Sequence, residues 1–68
     1  MAVADVIRVE LARRRSNQGH LAQILELSQP AIHRRMSGKV SWRVSELQAI
    51  ADFLEIPIGA LLTEQAAS

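Results

Sequence analysis

Gln18, Gln29, Arg34, Lys39 and Arg43 are the side chains of this 68-residue sequence whose types and spacing suggest chemistry beyond packing. A carboxamide donates and accepts in one plane, which matches the major-groove edge of adenine. A guanidinium presents the paired donors that match guanine. Lysine and arginine also neutralise phosphate. Ser28, Pro30, His33 and Ser37 are interleaved with these residues, so one surface would carry amide, hydroxyl, imidazole and cationic groups together.

Such a surface needs rigid elements beneath it, and the periodicity supplies them. Val3, Val6, Ile7 and Leu11 recur at helical spacing, which predicts a first helix over 4–15 with Arg13 to Arg15 in its last turn. Ser16 and Asn17 then offer a cap, and Leu21, Ala22 and Leu25 form the apolar face of a short second helix, 18–25. Ser28 is a good N-cap for a third helix, about 29–36. Pro30 falls at its second position, where a missing N–H is no loss.

In that third helix Ile32 and Met36 are expected to point inward. Gln29, Ala31, His33, Arg34 and Ser37 share the remaining surface, and Gly38 ends the helix. Val44, Leu47, Ile50, Ala51 and Leu54 predict a fourth helix over 44–54. Pro57 introduces a fifth, about 58–65, with Ile58, Leu61 and Leu62 inward. No segment alternates long enough for a strand, so the expected fold is all-α, with five helices in one domain spanning 1–68.

Helices two and three, joined by a three- or four-residue turn, form a shape that can lay the second of the pair across a DNA major groove. Gln29 and Arg34 would then face base edges. Gln18, at the start of the preceding helix, could donate to a phosphate and brace Gln29.

The net charge of +1 conceals a strong asymmetry. Residues 1–43 hold eight bases and three acids, a balance of +5, whereas residues 44–68 hold four acids and no base, a balance of −4. A field of that kind draws a polyanion to one side, although solvated helix faces also carry charge for solubility. No cysteine is present, and His20 and His33 have no third ligand at a useful spacing, so no metal or other cofactor is expected. Nothing in the sequence supplies a nucleophile elbow or a glycine-rich phosphate loop, so an enzyme is not expected. No apolar run reaches the roughly 18 residues of a membrane span. A cytoplasmic protein that takes no small-molecule ligand is the expectation.

Gln18, Leu21, Ala22, Leu27, Ser28, Ile32, Gly38 and Lys39 resemble the pattern Q..LA....(V/I)S...I.....GK of Cro and lambda-repressor type helix-turn-helix proteins. The stretch ELQAIADFLEIPIGALL, Glu46 to Leu62, is similar to the LLKIAKALGVSLDELL ending of the same family. The resemblance implies a five-helix domain with its helix-turn-helix at about 18–36. It carries the family's phosphate-contacting glutamine onto Gln18 and its exposed recognition positions onto Ser28, Gln29, Pro30, His33 and Arg34. Lys39 and Arg43 would follow the helix and meet phosphate.

It further implies a transcriptional repressor in a bacterial cell or phage-infected host, acting by occupying an operator. Two copies are expected on a pseudo-palindrome, as a homodimer joined through helix five and the C-terminal residues, with Ile58, Leu61 and Leu62 as candidates. The alternative is an antitoxin or a protein-interaction adaptor built on the same fold.

Three positions depart from the family pattern. Glu26 stands where glycine is common, Arg35 where the residue is usually apolar, and Trp42 where proline is frequent. A left-handed Glu26 would cost about 1 kcal/mol. An ion pair between Glu26 and Arg35 is expected to reconcile the first two departures, and Trp42 is expected to plug the core under a loop.

Overall fold

The structure is a computed structural model that describes the backbone of residues 3–67 and the side chains of residues 3–63. The described chain forms five helices and no strand: α1 Val3–Arg13, α2 Gln18–Leu25, α3 Gln29–Met36, α4 Val44–Leu54 and α5 Ile58–Ala67. Each of the middle starts has a local cause. Asn17 Oδ1 accepts the His20 N–H at 3.1 Å and opens α2. Ser28 Oγ accepts the Ala31 N–H at 3.2 Å and opens α3, with Pro30 in the first turn. Glu46 reaches back from α4 to accept the Arg43 N–H at 2.8 Å, satisfying a donor at the helix entry.

The ends of four helices share one device. A residue one or two places past the helix is left-handed, and the N–H beyond it closes on a carbonyl five residues back. Arg15, Glu26, Gly38 and Glu55 occupy the left-handed position, with φ of 53°, 56°, 84° and 57°. The closing bonds are Ser16 N–H to Leu11 O (2.9 Å), Leu27 N–H to Ala22 O (2.9 Å), Lys39 N–H to Arg34 O (2.9 Å) and Ile56 N–H to Ala51 O (3.0 Å). Glu26 therefore takes the glycine-like conformation itself. The turns after α2 and α4 are also built alike: Leu27 and Ile56 each follow the left-handed glutamate and pack against the core.

Ile7, Leu21, Ile32, Leu47, Ile50, Leu54 and Leu61 are fully buried. Three of the seven come from α4, which contacts both α2 and α5, while α1 rests on α5 and α2 on α3. Trp42 is buried as the plug between α3 and α4.

Several expectations are corrected. In α1, Ala4 is buried and Val6 only partly so, and the helix stops at Arg13 because Arg15 turns left-handed. Ala31 belongs to the buried face of α3, not its surface. Val44 is 65% exposed because it occupies the first position of α4, ahead of the stripe that Leu47 begins. Leu61 is buried and Ile58 partly buried, but Leu62 lies at the surface because α5 offers α4 and α1 too narrow a face to cover it. α5 continues to Ala67.

The expected Glu26–Arg35 pair does not form. Arg35 Nε donates instead to Glu46 Oε1 at 3.1 Å, because α3 presents this side chain to the start of α4.

Candidate nucleic-acid interface

α3 is held from both sides, and this determines which of its polar groups are free. Ala31, Ile32 and Met36 anchor it to the core. Arg35, next in sequence to Arg34, is occupied by that anchoring: Nη1 donates to the Ala31 carbonyl at 3.2 Å while Nε holds Glu46. Both partners of the ion pair are only 12% exposed. Burial pushes the Glu46 carboxyl up, but the Arg43 N–H and the Arg35 guanidinium together prevail and hold it below the usual glutamate value. Sequence reasoning missed this role for Glu46. The available signal was its place three residues after Arg43, where a carboxylate commonly caps a helix.

With Arg35 turned inward, the outer surface of α3 consists of the residues the sequence indicated. Ser28, Gln29, Pro30, His33, Arg34 and Ser37 are all exposed, as are Lys39 and Arg43 just beyond the helix; Gln18 is half-buried. The backbone fixes Lys39 relative to α3, because the Arg34 carbonyl accepts the Lys39 N–H at 2.9 Å, the Val40 N–H at 3.2 Å and the Ser37 hydroxyl at 3.2 Å. Ser37 thus helps to close the helix while remaining at the surface.

The expected brace between Gln18 and Gln29 takes a different form. No hydrogen bond joins them, and the Gln29 amide lies instead over Gly19, where a Cβ atom would stand 3.1 Å from Nε2. The N-terminal ends of α2 and α3 face each other across a shallow groove that Asn17, Gly19, Gln23, Ser28 and Gln29 line.

Charge is apportioned along the same division. Arg8 pairs with Asp5 at 3.0 Å, and Arg13 and Arg14 both pair with Glu10. The Arg14 guanidinium, followed by that of Arg13, outweighs desolvation and holds the Glu10 carboxyl below its usual range. Among the described residues, Arg15, Arg34 and Lys39 pair with no carboxylate, while Arg43 forms no ion pair but its charge helps to lower the Glu46 carboxyl. Arg34 lies on α3 and Lys39 in the segment that follows it. An exposed helix bearing amide and guanidinium groups, followed by an unpaired lysine and an exposed arginine, can enter a major groove and contact the phosphates on its walls.

Residues 2–68 match the BetR domain. The chain belongs to the BetR domain family. This is a helix-turn-helix type of DNA-binding domain, and a DNA-binding regulatory role accompanies it. No curated protein and no solved structure matches the chain. In this BetR domain α2 and α3 are two short helices joined by the tight turn at Glu26–Leu27. No described helix is long and apolar enough to cross a membrane.

Proposed function

We propose that this BetR domain reads double-stranded DNA by sequence and represses transcription by occupying an operator, in the manner of the Cro-like proteins that its motif resembles. One observation carries the reading. Arg34 and Lys39 are exposed and have no carboxylate partner among the described residues, whereas Arg8, Arg13, Arg14 and Arg35 are all paired and Arg43 lies close enough to Glu46 for their charges to interact. Uncompensated charge therefore collects where α3 offers its base-reading groups.

Gln29, His33 and Arg34 are the base readers in this reading. Ser28, Pro30 and Ser37 shape the approach, and Gln18, Lys39 and Arg43 meet the backbone. One such helix reads only a few base pairs, so two copies act on a pseudo-palindrome with half-site centres about 34 Å apart. Leu61 is buried in the protein's own core, which leaves Leu62 as the apolar residue of the proposed helix-five contact.

Selection of bound duplexes from a random pool at two salt concentrations tests the proposal. An inverted repeat should emerge, with affinity falling by roughly 0.9 log units per log unit of salt for each phosphate contacted. A pool that returns no preferred sequence would refute base reading.

A further inference from the structure

Gly19 stands at the second position of α2, where glycine weakens a helix by about as much as any residue except proline. Its backbone does not require glycine, since it is helical. The reason for its presence lies in its surroundings. A Cβ here would stand 2.9 Å from Asn17 Oδ1, the acceptor that caps α2, and 3.1 Å from Gln29 Nε2 at the entry of α3. Both contacts are to the far ends of side chains, so an added methyl group would displace them without opening the fold.

From this geometry we infer that Gly19 is a specificity-determining positioning residue: the absence of its side chain makes the seat in which the Gln29 amide rests against the start of α2. The inference rests on the DNA-reading function proposed above. An amide held in one place before binding loses less freedom when it meets a base edge, and the planar pairing of a carboxamide with adenine tolerates little displacement. Gly19 itself touches no base. It acts by deciding where Gln29 sits, and α2 thereby tunes the sequence preference of α3.

The test is a double-mutant cycle on base preference with wild type, Gly19→Ala, Gln29→Ala and the double variant. Competition binding would compare the selected operator with duplexes altered at the position Gln29 reads. Gly19→Ala should reduce discrimination at that position roughly five-fold or more, on the scale of one base contact. It should leave the salt slope and the other positions unchanged. In the Gln29→Ala background, Gly19→Ala should have no further effect.

Thermal melts would verify that Gly19→Ala folds. An NMR contact between the Gln29 side-chain amide and the Gly19 α-protons should be present in wild type. Two results overturn the inference while leaving the DNA-reading function intact: unchanged discrimination in Gly19→Ala when Gln29→Ala loses it, or an equal loss from Gly19→Ala in both backgrounds. Absence of any base preference in wild type would instead remove the DNA-reading function, and the inference with it.

Discussion

Arg35 Nε and Glu46 Oε1 meet at 3.1 Å across the junction of α3 and α4, and the same carboxylate oxygen accepts the Arg43 N–H at 2.8 Å. One glutamate therefore ties α3 to the segment that precedes α4. Glu46→Gln would leave the Arg35 guanidinium mostly enclosed without a countercharge. We expect this to destabilise the fold by about 1–3 kcal/mol, read as a lower urea midpoint at unchanged slope.

The same carboxylate makes stability depend on acid. Its value is lowered in the folded state, so its contribution is complete above the ordinary glutamate value of about 4.3 and is lost as pH falls through the lower folded value. Urea midpoints taken between about pH 6 and pH 3 should therefore fall less steeply in Glu46→Gln than in wild type. Parallel curves would show that Glu46 is not the titrating group.

The left-handed residues Arg15, Glu26 and Glu55 are strained by their side chains. Replacing Glu26 or Glu55 with glycine should raise stability by roughly 0.5–1 kcal/mol each, measured as an increase in Tm. The same exchange at a helix-interior site such as Gln48 should lower it by a similar amount.

Ser28 opens α3 by accepting the Ala31 N–H. Ser28→Ala should cost about 1 kcal/mol and weaken DNA binding through loosening of the reading helix, whereas Ser28→Asp should preserve the cap. If Ser28→Ala retains full stability, the cap is not what starts α3.

Arg34 and Lys39 should separate in their effects on DNA. Arg34→Ala should reduce discrimination at one base position, at a cost of about 1–3 kcal/mol. Lys39→Ala should weaken all sequences alike and lower the salt slope by roughly one contact. Identical behaviour of the two variants would remove the distinction between reader and anchor.

The helices were legible in the sequence because their signals are local. α2, α3 and α4 follow directly from Asn17, Ser28 and the Leu47–Ile50–Leu54 stripe, since caps and stripes are relations between residues three or four apart. The lopsided distribution of charge and the outward set from Ser28 to Lys39 came from the same short-range pattern. Val44 and Ala31 were misplaced because periodicity gives a face but not its edges, and neighbouring helices determine how wide a face is covered.

What a linear reading could not supply were the contacts between elements distant along the chain. Arg34 and Arg35 are adjacent and chemically identical, yet one faces solvent and the other holds Glu46, because folding brings the Glu46 carboxylate beside Arg35 and not beside Arg34. The seat of Gln29 over Gly19 likewise exists because packing brings the starts of α2 and α3 together. Residue types and short-range spacing thus determined which polar and cationic groups lie on the outward face of α3 and beyond it. Three-dimensional packing decided which of them are buried or paired and which stay exposed, since burial and pairing depend on neighbours that only folding brings within reach.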